Sequence, residues 1–181
     1  MDIYKLKFTK LQNEIFRLLC VKSGEKLNKR NIANILKVSP TAVSKSLIQL
    51  EKEELVKIER AEKMNLNLVM LNREYKRVIN SKRIENLKML YESGLVESLE
   101  EKFPASTIIL FGSYAYGDDT IKSDLDIAII GYKDKKINLD SFEKTLEREI
   151  RVNFYEGFSK IHKHLKENLC NGIILKGGVE L

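Results

Sequence analysis

The chain has little of what marks disulfide-linked or thiolate-metal proteins. It contains no tryptophan, two prolines, two histidines and two cysteines, Cys20 and Cys170. The cysteines lack a Cys-x-x-Cys spacing, and each lies in an apolar helical pattern. Both are therefore expected to be buried free thiols in a reducing cytoplasm. His162 and His164 are two residues apart on a predicted helix and point to different sides, which argues against a histidine metal site.

Long apolar runs are also missing from the sequence. No stretch of 18 or more apolar residues occurs, which excludes a membrane-spanning helix. The first residues, Met1 to Lys5, lack the charged-then-apolar order of a secretion signal. The sequence therefore predicts a cytoplasmic protein with no membrane partner.

Acidic residues are scarce relative to basic ones only in the first part of the chain. Residues 1–80 carry 17 Lys and Arg against 9 Asp and Glu, a net charge of +8, whereas residues 81–181 carry 15 against 17, a net charge of −2. A basic first domain joined to a mildly acidic second domain indicates that only the first faces a polyanion.

Three helices followed by a hairpin are predicted in the basic part. Apolar residues recur at helical spacing in three segments, which are Leu11 to Val21, Lys29 to Leu36 and Pro40 to Glu54. Asn28 and Ser39 can cap the second and third helices, and Pro40 suits a first helical position. Two strands then follow, Leu55 to Glu59 and Leu66 to Leu71, joined by a polar tip at 60–65.

This order of elements resembles the winged helix-turn-helix domain of MarR-like transcription factors, over residues 8–72. The resemblance implies that the start of the third helix enters the major groove of double-stranded DNA, through Ser39, Thr41, Ala42, Ser44 and Lys45. At the hairpin tip, Arg60 and Lys63 could touch backbone phosphates. The alternative is a domain that mediates dimerisation or another protein contact. The sequence leaves a homodimer open.

A charged segment connects the two parts. Apolar residues at helical spacing over residues 73–94 predict a connecting helix, broken or bent near Asn80-Ser81 and stopped by Ser93-Gly94. The predicted domains are therefore a DNA-binding domain at 1–72, the connecting helix at 73–94, and a second domain at 95–181.

The second domain contains a pair of aspartates at an informative spacing. Thr107 to Phe111 reads as a buried strand that ends at Gly112-Ser113, and ten residues later Asp124-Leu125-Asp126 begins another apolar strand. On a strand, Asp124 and Asp126 point to one face, where a cation between them would relieve their repulsion. Hard oxygen ligands are those that Mg²⁺ prefers. Glycine at the corner lets a phosphate approach the backbone closely.

The pattern resembles the DNA polymerase beta superfamily of nucleotidyltransferases, and within it the minimal branch, over residues 95–181. The resemblance implies an α+β chain with a C-terminal mixed sheet and ATP or another nucleoside triphosphate as substrate. Gly112, Ser113 and Ser123 would hold the triphosphate, and Asp124 and Asp126 would bind Mg²⁺ or Mn²⁺. Transfer of a nucleotidyl group, AMP from ATP, to a protein or small acceptor is the implied reaction.

The third acidic position of that family is occupied here by an amide. In the predicted strand Ile150 to Tyr155, Asn153 stands where relatives have aspartate, which leaves Asp124, Asp126 and Asn153 as the catalytic set. An amide cannot take a proton as a general base does. Two functions follow: a nucleotidyltransferase that relies on metal and positioning, or a transcription regulator whose transferase fold only binds or senses nucleotide.

A protein partner is implied by resemblance alone. Relatives in the minimal branch often act with a helical HEPN-type protein in toxin–antitoxin pairs, and some modify that partner. The resemblance therefore implies an antitoxin-like role beside a HEPN-type partner. The acceptor, the preferred base and the DNA sequence are not readable from the chain.

Overall fold

The computed structural model describes residues 7–61 and 66–179. The chain forms two compact units, residues 1–78 and residues 79–181. Both units combine helices with a sheet, so the predicted α+β class is confirmed.

The helices of the first unit begin at side-chain caps. They are α1 (Lys10–Val21), α2 (Lys29–Leu36) and α3 (Pro40–Lys52). The Asn28 side chain accepts the backbone N–H of Asn31, and the Ser39 hydroxyl accepts that of Ala42, with Pro40 in the first turn. Such caps satisfy N–H groups that have no partner inside the helix, which is why the sequence marks these helix starts well.

A three-stranded antiparallel sheet completes the first unit. Its strands are β1 (Leu27–Asn28), β2 (Val56–Ala61) and β3 (Leu66–Leu71), in the order β1-β3-β2. The short β1 was not predicted, because two residues carry no periodic signal. Apolar side chains of the helices and of β3 form a single core, including the fully buried Ile15, Val43 and Val69. Lys63 lies outside the described residues.

The segment between the predicted domains is one continuous helix. α4 spans Lys76–Glu92 and runs through Asn80 and Ser81, so a break at these residues is wrong, while the alternative of a bend there stays a prediction. Neither residue removes a backbone donor as proline would, and their low helix propensity is too weak to stop a helix alone. The division between the two units falls inside α4. The domain boundaries given above stay a prediction.

The second unit is built on a mixed four-stranded sheet. Its strands are β4 (Thr107–Phe111), β5 (Leu125–Ile130), β6 (Ile150–Tyr155) and β7 (Ile173–Lys176), in the order β6-β5-β4-β7. β4 is antiparallel to β5 and β7, whereas β5 is parallel to β6. The strand β7, which has four residues and follows a helix, was not predicted from the sequence.

Helices accompany both faces of this sheet. The helices are α5 (Leu95–Lys102), α6 (Gly112–Tyr116), α7 (Asp140–Leu146) and α8 (Lys163–Cys170). One core contains Ile108 and Ile127 together with α5, and another contains Ile109 and Ala128 together with Leu169 of α8. Because neighbouring residues of a strand point to opposite faces, these two cores lie on opposite sides of the sheet.

The two cysteines differ in exposure. Cys20 is buried in α1, as expected, but Cys170 is exposed at the end of α8. The prediction of two buried thiols is therefore wrong for Cys170. Its position continues an apolar helical pattern, but α8 buries mainly Leu169 of its last turn and leaves Cys170 outside.

Candidate functional site

The strand-to-helix corner at Gly112 brings the backbone against an aspartate. Gly112 follows β4 directly, opens α6, and has a φ of +74°. A Cβ built on it would lie 2.7 Å from Oδ2 of Asp126. Glycine is therefore required here both for its backbone conformation and for this close approach. The structure thus brings together two residues that the sequence analysis assigned to one site.

Asp124 and Asp126 lie on the same face at the start of β5. Asp126 is paired with Phe111 of β4, and Asp124 immediately precedes the strand. Burial raises the pKa of the Asp126 carboxyl above its ordinary value, the Asp124 charge raises it further, and Arg151 opposes the increase. A like charge beside a carboxyl disfavours its ionised form, which is the direction that the sequence predicts for this pair.

An arginine that the sequence analysis did not consider lies in this site. The guanidinium Nη1 of Arg151 is 2.8 Å from Oδ2 of Asp124, and its Nε is 3.4 Å from Oε1 of Glu149. In the parallel pairing of β5 and β6, Arg151 is also directly beside Asp126. The available signal was the strand parity of β6, which puts residues 151 and 153 on one face.

Asn153 lies on the same sheet face but further from the aspartates along the strands. It is paired with Ala128, one two-residue repeat beyond the Asp126–Arg151 pair, which corresponds to about 7 Å along the strands. The role of Asn153 as the third position stays a prediction. The residue of β6 that is paired with Asp126 is Arg151, a cation.

The two serines have different local settings. The Ser123 hydroxyl accepts the backbone N–H of Thr120 at 3.0 Å, and the Ser123 N–H donates to the Thr120 carbonyl at 2.9 Å. This turn leads directly into Asp124, so the hydroxyl fixes the approach to β5. Ser113 is the second residue of α6, and its carbonyl accepts the N–H of Asp118 at 3.0 Å. Triphosphate binding by either serine stays a prediction.

The donor set beside Gly112 fits a divalent cation held by Asp124 and Asp126. Their carboxylate oxygens are hard ligands, and two carboxylates plus substrate phosphates are a common environment for Mg²⁺. Among residues 7–61 and 66–179, no group of three or more His, Cys, Asp or Glu side chains is placed to hold a metal ion. The protein would therefore supply two carboxylates, and one of them is also paired with Arg151.

A buried charged cluster that was not predicted lies in and beside the loop between α6 and β5. Asp119 is fully buried, its carboxylate pairs with the buried Lys82 of α4, and its Oδ2 is 3.2 Å from Nη2 of Arg148. The Asn86 amide donates to Asp119 at 2.7 Å and to the carbonyl of Tyr114 at 3.0 Å. The only sequence signal was the four-residue spacing of Lys82 and Asn86, which gives no partner.

Close packing of Gly117 against α4 also holds this loop in place. Gly117 ends α6 with a φ of +81°, and a Cβ on it would lie 2.6 Å from the carbonyl oxygen of Ile79 and 2.9 Å from the N of Arg83. The loop between α6 and β5 is therefore held against α4 by backbone approach and by the Asp119 charges. These contacts position the loop that carries Asp124.

A second candidate surface lies in the first unit, at the start of α3. Ser39, Thr41 and Lys45 are exposed, whereas Ala42 and Ser44 are partly buried. A concave region of about 580 Å³ brings together Thr41, Ser44, Arg60 and the first residues of α2, together with Asn28, Pro40, Leu66 and Asn67.

Two cations of this concave surface were not among the predicted contacts. Lys29 and Arg30 open α2 and line the cavity beside Arg60. Of the predicted set, Thr41, Ser44 and Arg60 line it, while Ser39, Ala42 and Lys45 do not. A basic hollow beside an exposed helix start is suited to a phosphate backbone.

Residues 92–175 match the family model described as a nucleotidyltransferase domain. The matched range contains β4, α6, β5 and β6, and hence Gly112, Asp124, Asp126 and Arg151. The match lies within the second unit, and the three helices and hairpin of the first unit have the element order of a winged helix-turn-helix. The family match agrees with the resemblance to nucleotidyltransferases, and the element order of the first unit agrees with the resemblance to winged-helix domains.

Solved structures similar to this chain include winged-helix regulators. A cysteine-to-serine mutant of Lactococcus lactis ZitR is 30% identical, with a TM-score of 0.40, covering 55% of this chain and 64% of that one. Wild-type ZitR in complex with DNA is 27% identical, with a TM-score of 0.41 and the same coverage. The S. aureus MepR–DNA complex is 16% identical, with a TM-score of 0.39, covering 54% of this chain and 80% of that one.

The chain covers 64% of the length of each of the two ZitR structures named above, which is less than two thirds. A search of curated proteins returned no match. Among the described residues, no helix combines the length and apolarity needed to cross a membrane.

Proposed function

We propose that this chain is a DNA-binding protein whose second domain binds a nucleoside triphosphate with Mg²⁺ or Mn²⁺ and transfers a nucleotidyl group, AMP from ATP, to an acceptor. The observation that carries the proposal is the placement of Asp124 and Asp126 on one sheet face, with Asp126 against the backbone of Gly112. The family match over residues 92–175 supports it.

Each residue of the site has a definable task. Asp124 and Asp126 would hold the cation, and Gly112 lets the Asp126 carboxylate lie against the backbone at the corner where the triphosphate would bind. A divalent cation supplies charge neutralisation and alignment of the triphosphate, which is the larger part of catalysis in such transfers. Asn153 can donate and accept hydrogen bonds but cannot take a proton.

The acceptor proposed is a protein or a small molecule. A helical HEPN-type partner is the protein acceptor that the family resemblance suggests, with this chain as the antitoxin-like member of the pair. The support for that partner is the resemblance, since fold alone does not define an acceptor.

The DNA-binding part of the proposal rests on the concave basic surface. Lys29, Arg30 and Arg60 surround a hollow that is continuous with the exposed start of α3, at Thr41 and Ser44. Phosphate contacts from such cations give affinity that falls with salt, and the small polar residues of α3 are suited to base edges.

A second candidate function is favoured by Arg151 and Asn153. With a guanidinium on Asp124 and an amide on β6, the domain would bind nucleotide without transferring it, and the protein would be a nucleotide-responsive transcription regulator. The two candidates predict the same ligand and differ in chemistry.

The test combines nucleotide binding with transfer of label from α-labelled ATP. Calorimetry should detect ATP binding that requires Mg²⁺ or Mn²⁺, and Asp126→Asn should abolish that requirement. Equal, metal-independent binding by both proteins would contradict the proposed site.

Transfer is then measured with wild type and Asn153→Asp, using a purified HEPN-type protein as acceptor. If the missing carboxylate limits chemistry, Asn153→Asp should raise the transfer rate by about 10²- to 10⁴-fold, with ATP binding changed only a few-fold. Efficient transfer by wild type, unchanged in the variant, would show that no third carboxylate is needed. Binding without transfer by either form would favour the regulator.

A further inference from the structure

The strongest unexplained feature of the second unit is a cation already placed on its acidic pair. Nη1 of Arg151 is 2.8 Å from Oδ2 of Asp124. The Asp124 side chain is 27% exposed and that of Arg151 is 56% exposed, so the pair lies at the mouth of the site and is open to solvent. A carboxylate oxygen that accepts a charge-assisted N–H cannot offer the same lone pair to a metal ion.

We propose that Arg151 is the resident counter-cation of this site and competes with the divalent metal for Asp124. The inference rests on the proposed function, because it concerns the same carboxylates. While no metal is bound, the guanidinium neutralises Asp124 beside Asp126. Metal entry requires the guanidinium to leave Asp124.

The position of Arg151 on its strand explains why it stays close to the aspartates in both states. Arg151 is paired with Asp126 in the parallel register of β5 and β6, and both side chains lie on one face. The backbone therefore fixes where the side chain starts, and only the long flexible stem moves. Displacement from Asp124 is a change of side-chain rotamer, without rearrangement of the sheet.

Glu149 gives the displaced guanidinium a second partner. Its Oε1 is 3.4 Å from Nε of Arg151, and the Glu149 side chain is 65% exposed. This contact is present together with the Asp124 pair, so Arg151 keeps a carboxylate neighbour when it releases Asp124, and the released guanidinium is not left without a counter-charge. Glu149 thus acts as a positioning residue for Arg151, and its removal should favour the Asp124 pair.

The first experiment measures Mn²⁺ binding to the full chain by calorimetry and by electron paramagnetic resonance of free Mn²⁺, without nucleotide. Arg151→Gln should tighten Mn²⁺ binding by about 3- to 30-fold, because a positive charge a few ångströms from a divalent ion is removed together with the competing contact. Arg151→Lys keeps the charge but loses the planar guanidinium, so its Mn²⁺ affinity should lie between those of wild type and Arg151→Gln.

Lys133→Gln is the matched control for net charge. Lys133 pairs with Glu156 at 3.7 Å, away from the aspartates, and the substitution removes the same charge from the same unit. It should change Mn²⁺ affinity by less than about two-fold, because exposed charges at long range are screened. Equal effects of Arg151→Gln and Lys133→Gln would overturn the proposal.

A double-mutant cycle tests the role of Glu149. Glu149→Gln should weaken Mn²⁺ binding in the wild-type background, and most of that effect should disappear when Arg151 is already glutamine. Equal weakening in both backgrounds would show that Glu149 acts on the metal by its own charge, and the two-partner exchange would be wrong.

The outcomes separate this inference from the proposed function. If wild type and Arg151→Gln bind Mn²⁺ equally, the competition is absent while the metal site stands. If neither binds Mn²⁺ at millimolar concentration without nucleotide, the competition is overturned, and the proposed function is then decided by the metal requirement of ATP binding. Circular dichroism melting curves show whether each variant is folded, and Arg151→Lys replaces Arg151→Gln if the latter is not.

Discussion

The two units of this chain use cations in opposite ways. In the first, Lys29, Arg30 and Arg60 stand around an open hollow beside the start of α3. In the second, Lys82 and Arg148 are buried around Asp119, and Arg151 covers Asp124. The net charge of the sequence reveals the first use, because Lys and Arg outnumber Asp and Glu in residues 1–80. The second use is invisible to it, because paired charges cancel.

The energetic meaning of an ion pair also differs between the units. Lys26 and Glu59 of the first unit are 2.6 Å apart with both side chains 51% exposed, a setting in which a pair contributes about 0–1 kcal/mol. The Asp119 carboxylate is fully buried between two cations. There, removal of one partner leaves uncompensated charge in a medium of low dielectric constant.

The largest expected effect is therefore from Asp119→Ala. The substitution leaves Lys82 and Arg148 buried without their shared carboxylate, and we expect a loss of about 3–5 kcal/mol from the free energy of unfolding of the second unit. Chemical denaturation followed by circular dichroism would measure it. Lys26→Ala, at the exposed pair, should change the same quantity by less than about 1 kcal/mol. Similar small losses in both variants would remove the distinction between the units.

Gly112→Ala should have the next largest effect. Alanine at a φ of +74° is strained by about 1 kcal/mol, and its Cβ would lie 2.7 Å from Oδ2 of Asp126. We expect a loss of about 1–3 kcal/mol in stability and a loss of Mn²⁺ binding. Gly94→Ala is the control, because Gly94 has a φ of +75° with nothing within 4 Å of its Cβ. Equal stability losses in both would mean that the Asp126 contact is unimportant.

The features that could be predicted from the sequence are those set by residues close together along the chain. α2, β4 and β6 were placed with their observed bounds, because Asn28, the Gly112 corner and short apolar runs are local signals. The pairing of Arg151 with Asp124 and the burial of Lys82 against Asp119 depend on strand register and on residues 37 positions apart. Local patterns contain no such information.

A smaller effect is expected from charge changes at the start of α3, where Lys45 is exposed, and in the basic hollow that Arg60 lines. Lys45→Glu should weaken binding of duplex DNA by the full chain about ten-fold at 0.1 M salt, and Arg60→Gln should reduce the salt slope by about one. Lys52→Glu, at the far end of the same helix, is the control and should have little effect. Fluorescence anisotropy over a salt series measures both quantities. Binding that does not vary with salt would favour a protein-contact role for this unit.

The smallest expected effect is on the pH dependence of stability, and it differs in sign between one carboxylate of each unit, Asp126 and Glu53. Burial and the Asp124 charge raise the pKa of Asp126 above its ordinary value of 3.8, so the folded protein holds this proton more tightly than the unfolded chain. The resulting stabilisation is complete below pH 3.8 and is lost as pH rises through the folded pKa. The hydrogen bond from Lys7 lowers the pKa of Glu53 below 4.5, so its contribution is present above pH 4.5 and is lost as pH falls through the folded pKa. In metal-free buffer, Asp126→Asn should therefore gain stability relative to wild type as pH rises through the acid range, whereas Glu53→Gln should lose it. Melting temperatures measured from pH 3 to pH 7 give the stability difference between each variant and wild type. If this difference changes with pH in the same direction for both variants, the opposite pKa shifts of Asp126 and Glu53 are contradicted.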